Sequence, residues 1–281
     1  MPRLLRIDDP GDPRIAPYMN LRDRDLAGAH GGRFIAEGEV PLRALLLAQE
    51  RFPVDSLLVS EKRIGALGAL IAGLPCRTPV HVAPQGVMDR IVGFPIHRGL
   101  LALASRGQPQ AALELLAGLS PHALVVALVG VANHDNVGGV FRNAAAFGAE
   151  GVLLDGGSCD PLYRKAIRVS VGASLLVPFA RGGDPADMLD ALEGAGFETV
   201  ALSPGGPEPI SRLSRRGRTA LLLGAEGSGL PQAVLARARA VRIAMRAGFD
   251  SLNLATASGI ALHHLAEEHD PAEEDVSGRE P

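Results

Sequence analysis

Ala123-Leu124-Val125-Val126-Ala127-Leu128-Val129 is the stretch that decides the fold class. Seven apolar residues in a row, with no polar alternation, describe a strand buried on both faces, as a parallel sheet covered by helices on each side requires. Outward from it the pattern alternates: a loop and a helix over 140–147, a strand over 151–154, a helix over 161–171, a strand over 175–179, a helix over 185–195 and a strand over 198–202. These are βαβ units. A strand over 219–223, a helix over 231–239, a strand over 241–245 and a long helix over about 251–268 complete this half. The expected class is α/β, with a mostly parallel C-terminal sheet.

Upstream the elements are shorter. Residues 1–30 read as a leader with a helix near 17–29. A helix over 39–49 carries leucines at 42, 45 and 46 and precedes a strand over 55–60. A helix over 64–72, the apolar 80–82, a helix over 85–92 and a strand over 99–104 follow, which makes a small α/β sandwich over 31–107. Residues 108–121, ending in Ser120-Pro121, read as a linker, and the stripe Leu113, Leu116 and Leu119 as packing.

Composition bounds the function. A chain of 281 residues can bury two cores, and 47% hydrophobic with 21% charged residues is globular. No run approaches the roughly 18 apolar residues of a membrane span, and the first residues lack the apolar stretch of a secretory signal. A soluble, cytoplasmic protein is expected. Cys76 and Cys159 are too few and too far apart for a disulfide framework or a paired metal site, so both are expected as reduced, half-buried thiols. The net charge of −3 is misleading, because residues 267–281 hold seven acids against Arg279; residues 1–266 carry about +3. The basic residues are nearly all arginine, whose planar fork suits phosphate oxygens. The acidic tail over 269–281 reads as disordered and solvated.

Three segments carry chemistry. Asn136-Val137-Gly138-Gly139-Val140-Phe141-Arg142 frees the backbone before a helix and places an arginine able to clamp a phosphate. Leu223-Gly224-Ala225-Glu226-Gly227-Ser228-Gly229-Leu230 lets backbone approach a ligand closely at a strand end, with Pro231 starting a helix. Ser251-Leu252-Asn253 opens the last helix: Asp250 or Ser251 can cap it, but capping does not explain Asn253 inside the first turn. All three stand where strands end, which is where open α/β folds place ligands. The chain lacks both the dinucleotide fingerprint G-x-G-x-x-G and a phosphate loop ending in Gly-Lys-Ser/Thr, which argues against a nicotinamide-dependent oxidoreductase and against NTP as ligand.

Together the segments resemble the signature motifs of the SpoU (TrmH-like) RNA 2′-O-ribose methyltransferases of the SPOUT superfamily. Asn136, Gly138 and Arg142 match N-x-G-x-x-x-R; Leu221, Gly224, Glu226, Gly229 and Leu230 match L-x-x-G-x-E-x-x-G-L; Ile243 and Met245, then Ser251, Leu252 and Asn253, match I-x-M followed by S-L-N. Arg168, Ser170 and Gly172 are similar to the family's R-x-S-x-G. The family's proline in I-P-M is Ala244 here. The match covers about residues 123–266, and the N-terminal half is more loosely similar to the family's L30e-like RNA substrate-binding domain.

The resemblance implies a methyltransferase domain over 122–268 with a trefoil knot, an exception to the rule of unknotted chains. It implies S-adenosylmethionine held at Leu202, Gly224, Ile243 and Leu252, ribosomal or transfer RNA as substrate and a homodimer; the residue spacings and the lack of a long apolar run lead us to expect no metal and no membrane. By the same resemblance Arg142 acts at the ribose 2′-hydroxyl, with Asn136, Glu226, Ser251 and Asn253 holding it and the ribose. A non-catalytic RNA-binding protein that keeps the knotted fold is the alternative, and it would predict erosion of Arg142, Glu226 or Asn253. His122 and His134 read as loop histidines, His263 and His264 as interface or surface histidines.

Overall fold

The computed structural model describes residues 2–19, 32–93, 98–215, 217–246, 248 and 251–267. Much of the expected leader helix over 17–29, a cap at Asp250 and the tail over 269–281 lie outside the described residues. In chain order the elements are β1 (Leu4–Arg6), β2 (Arg33–Glu37), α1 (Glu39–Leu47), β3 (Val54–Ser60), α2 (Gly68–Ala72), β4 (Val80–Ala83), α3 (Gln85–Val92), β5 (Leu100–Ser105), α4 (Ala112–Ala117), β6 (Leu124–Val129), α5 (His134–Ala146), β7 (Gly151–Leu154), α6 (Arg164–Val169), α7 (Ala173–Leu176), β8 (Phe179–Arg181), α8 (Pro185–Gly194), β9 (Glu198–Leu202), β10 (Glu208–Pro209), β11 (Thr219–Gly224), α9 (Gln232–Leu235), β12 (Arg239–Arg242) and α10 (Leu254–Glu267).

Two compact units form. The first joins Met1–Pro109 with Pro161–Leu176. Its mixed sheet runs β1-β4-β3-β5-β2, with β5 antiparallel to both β3 and β2. Ile15, Tyr18, Ile35, Leu58, Met88 and Leu101 are among the side chains of a core in this unit. Arg164 of α6 donates to Glu37 Oε2 of β2 at 2.5 Å, an ion pair in which both side chains are largely buried.

The second unit holds Gln110–Asp160 and Val177–Pro281. Its seven strands run β10-β12-β9-β11-β6-β7-β8, and every registered pair is parallel. All six residues of β6 are buried, the burial on both faces that their uninterrupted apolar run implies. Helix α8 starts at a capping box: Asp184 accepts from the amides of Ala186 and Asp187, and Asp187 accepts from that of Asp184.

Several elements differ from expectation. Residues 175–179 do not form one strand: Ala173–Leu176 is helical and the strand is Phe179–Arg181. A short apolar run fits either state, and here the pairing of Val152 with Phe179 across β7 and β8 decides it. Residues 112–117, expected within the linker, are helical because Leu115 and Leu116 enter the core of the second unit, whereas Leu113 is 63% exposed. Strand β12 ends at Arg242, so Ile243 to Met245 follow it as irregular chain. Cys76 is exposed, while Cys159 is half-buried.

Candidate active site

The site is built at the C-terminal ends of β6, β11, β9 and β12 and on the two helices α5 and α10. Helix α5 starts six residues before the expected 140, because Asn133 caps it by accepting from the amide of Asp135 at 2.9 Å. Gly138 and Gly139 therefore lie inside a helix, where glycine costs about 1 kcal/mol relative to alanine. Packing gives the reason at Gly139: a Cβ there would stand 2.4 Å from Ala255 Cβ of α10. The helices are further joined by Asn143 Nδ2, which donates to Ala255 O at 2.6 Å and Ser258 Oγ at 2.8 Å.

Asn253 is the N-cap of α10. Its Oδ1 accepts from the amides of Ala255 and Thr256 at 3.0 and 3.2 Å. Capping thus explains half of this side chain, at the residue for which it was not expected. The other half reaches across the fold: Nδ2 donates to Asn136 Oδ1 at 2.9 Å and, more weakly, to Glu226 Oε1 at 3.4 Å. One amide group therefore ties together all three chemical segments. Asn136 is 2% exposed, and its Nδ2 is buried with no hydrogen-bond partner among the described residues. Such a donor costs about 1–3 kcal/mol unless a ligand acceptor meets it.

Glycine density in the second segment has a conformational cause. Gly227 and Gly229 have φ of 88° and 66°, and Gly229 N donates to Ala225 O at 3.0 Å, so the turn folds over the end of β11. A Cβ on Gly224 would lie 2.4 Å from Gly229 C and Leu230 N. The missing side chain at Gly224 makes room for the protein's own turn. Leu202 ends β9 and is half-buried opposite Val241, Ile243 follows β12, and Leu252 is 42% exposed just before the cap. Leu202, Gly224 and Ile243 thus mark the ends of three neighbouring strands.

Arg142 stands apart. It lies in the third turn of α5, about 120° around the axis from Asn136 at 100° per residue. It is exposed, and among the described residues its side chain forms no hydrogen bond or ion pair. Ser251 is exposed as well. The structure therefore joins Asn136, Glu226 and Asn253 directly, and leaves Arg142 and Ser251 outside that hydrogen-bond group.

Two further residues support the site. Asp155, 5% exposed at the end of β7, accepts from the Gly130 amide at 3.0 Å, the Ser158 amide at 2.8 Å and Ser158 Oγ at 2.6 Å. Ser158 Oγ in turn accepts from Val131 N at 3.0 Å. This pair clamps the loop that leads from β6 to Asn133. Its signal in the sequence is an acid closing an apolar strand ahead of Gly156-Gly157. Of the histidines, His263 packs edge-on against Phe147, and His264 Nε2 lies 3.0 Å from Leu213 O. Among the described residues no group of three His, Cys, Asp or Glu is placed to hold a metal, and no helix is long and apolar enough to cross a membrane.

Comparison with known proteins gives consistent matches. The model of the SpoU rRNA methylase family matches residues 123–263. An uncharacterised tRNA/rRNA methyltransferase of Mycobacterium tuberculosis is 39% identical over 265 residues, which is 91% of this chain and 89% of that protein. A crystal structure of an AdoMet-bound rRNA methyltransferase from Sinorhizobium meliloti superposes with a TM-score of 0.79 at 22% identity, covering 94% of this chain and 98% of that one. A structure described as an RNA 2′-O ribose methyltransferase does so with 0.76 at 26%, covering 94% and 99%.

Proposed function

The chain belongs to the SpoU rRNA methylase family, and on that premise we propose that it transfers a methyl group from S-adenosylmethionine to a ribose 2′-hydroxyl of ribosomal or transfer RNA. The observation that carries the reading is the amide of Asn253, which joins Asn136 and Glu226 in one hydrogen-bond group. The residues present suit the methyl donor: apolar groups at Leu202, Ile243 and Leu252 stand at or near strand ends, and Asn136 Nδ2 is an unused buried donor. That a neighbouring fold binds AdoMet and another is described as a 2′-O ribose methyltransferase supports both halves of the proposal.

When bound, S-adenosylmethionine supplies the sulfonium methyl group that the ribose oxygen takes up. The protein must hold the hydroxyl in line and stabilise the charge that develops as its proton leaves. Arg142 suits the second task. A guanidinium is effectively always protonated, so it orients a phosphate and stabilises an alkoxide rather than taking the proton. Among the described residues its guanidinium has no partner, which leaves its donors for substrate. Restriction to RNA follows from the reacting group, which DNA lacks. The family resemblance implies a trefoil knot in this half of the chain, where β12 lies beyond β9 from β11 and α10 packs on α5.

Single-turnover transfer of labelled methyl to RNA from cells lacking the gene tests the proposal. Arg142→Ala should lower the rate on the order of 10²-fold, with cofactor affinity by calorimetry within a few-fold of wild type and one site per chain. Arg142→Lys should not restore the rate, because an ammonium lacks the planar fork. Label recovered on a base, or a wild-type rate in Arg142→Ala, would overturn the reading.

A further inference from the structure

The turn that closes β7 reaches back to the loop that feeds α5. Gly130-Val131-Ala132-Asn133 carries the chain from the end of β6 to the cap of α5, and Asn136 stands in the first turn of that helix. Residues 155–159 fasten this loop by its backbone. Both oxygens of Asp155 accept from the Gly130 amide at 3.0 Å, Ser158 Oγ accepts from Val131 N at 3.0 Å, and Cys159 N donates to Val131 O at 2.9 Å. Gly130 has φ of 67°, so the chain turns there through a left-handed residue, and holding its amide sets the direction in which the loop leaves the sheet.

The fastening groups are themselves fixed. Asp155 and Ser158 are 5% and 1% exposed, and Asp155 Oδ1 accepts from the amide and the Oγ of Ser158 at 2.8 and 2.6 Å. Arg181 of β8 donates to Ser158 O through Nε at 3.1 Å and Nη2 at 2.8 Å. The ends of β6, β7 and β8 are thereby stitched to one another. Among the described residues the Asp155 carboxylate has no cationic partner; oriented N–H and O–H groups meet its charge, and bonds of this charge-assisted kind are stronger than neutral ones. A buried carboxylate that loses such donors is costly, which holds the turn in one arrangement.

What this fastening places is the start of α5, and with it Asn136. Asn253 Nδ2 donates to Asn136 Oδ1 from the side of α10, while Asn136 Nδ2 is buried without a partner among the described residues. A donor reserved for a ligand is effective only where its position is held closely. Asn253 holds the side chain; Asp155 and Ser158 hold the backbone from which it springs.

We propose that Asp155 and Ser158 are positioning residues for methyl transfer, acting through the loop between β6 and α5 to hold Asn136 in register with the reactants. The proposal rests on the methyltransferase reading of the site. Because the effect is on alignment rather than on uptake of RNA or cofactor, loss of either residue should lower kcat and leave KM nearly unchanged.

The test measures methyl transfer by the full chain to total RNA from cells lacking the gene, at a temperature where each variant is folded by circular dichroism. Asp155→Ala should lower kcat about tenfold or more, with the RNA KM and the calorimetric cofactor affinity within about threefold of wild type. Asp155→Asn keeps an acceptor for Gly130 and Ser158 and should recover part of the loss; Ser158→Ala, which removes only the Oγ, should lose less than Asp155→Ala. A double-mutant cycle on kcat separates positioning from general weakening of the fold: in an Asn136→Ala background, Asp155→Ala and Ser158→Ala should each cost less than about twofold, since the group they place is gone. Wild-type kcat in Asp155→Asn and Ser158→Ala together with Asp155→Ala, losses that add fully to that of Asn136→Ala, or a raised KM with kcat unchanged would overturn the proposal and leave the methyltransferase reading intact. A wild-type chain that transfers no methyl group to RNA would overturn both.

Discussion

Asn253 performs two tasks that mutation can separate. Its carbonyl oxygen caps α10 and its amide nitrogen reaches Asn136 and Glu226. Asn253→Ala should remove both, lowering stability by about 1 kcal/mol as lost caps do. Asn253→Asp keeps an acceptor for the cap but replaces the donor with a carboxylate facing Glu226, so urea unfolding should stay near wild type while methyl transfer falls at least tenfold. Equal losses of stability in the two variants would show that the inter-segment bonds matter more to folding than to the site. The cysteines give a second contrast. Burial, reinforced by Asp160, pushes the Cys159 thiol up to about 11, whereas Cys76 is exposed. Only thiolate reacts, so at pH 8 iodoacetamide should label Cys76 and leave Cys159 unmodified in peptide mass spectra of the native protein. Labelling of Cys159 should appear only as the pH approaches 11 or on unfolding.

At the scale of elements, the contact between α5 and α10 is what keeps the three segments in register. Gly139 against Ala255 is its closest approach. In Gly139→Ala the overpacking cost of about 1–3 kcal/mol exceeds the roughly 1 kcal/mol that alanine adds in helix propensity, so the urea midpoint should fall. Adding Ala255→Gly removes the clash, and the double-mutant cycle should show favourable coupling above about 0.5 kcal/mol. Additive effects would mean that the helices separate freely. Pattern reading could not find this contact, because a glycine pair in sequence reads as a loop and its partner lies on the far helix. The same limit applies at 173–181, where an apolar run fits helix and strand equally until β7 supplies a partner for Phe179.

At the scale of the molecule, the family resemblance and α10 together predict a homodimer, since Ile260 is 43% exposed on a helix whose Ala261, Leu262 and Leu265 are fully buried. Light scattering should give about twice 29.2 kDa; a monomer at micromolar concentration that still methylates RNA would refute it. The sequence by itself determined the fold class, because a run such as Leu124–Val129, set among alternating helical and strand-like segments, fits a strand covered on both faces in a parallel sheet, and period and punctuation are local properties. It also determined which residues to watch: Asn136, Glu226 and Asn253 stand at strand and helix ends however those elements are arranged. Only the tertiary structure decided that β11 sits between β9 and β6 with β12 beyond β9, that Asn253 spans all three segments, and that Arg168 joins Arg63 and Arg98 in the first unit. These are pairings between groups far apart along the chain, which depend on which surfaces meet when the core closes, and no local pattern of residues encodes that choice.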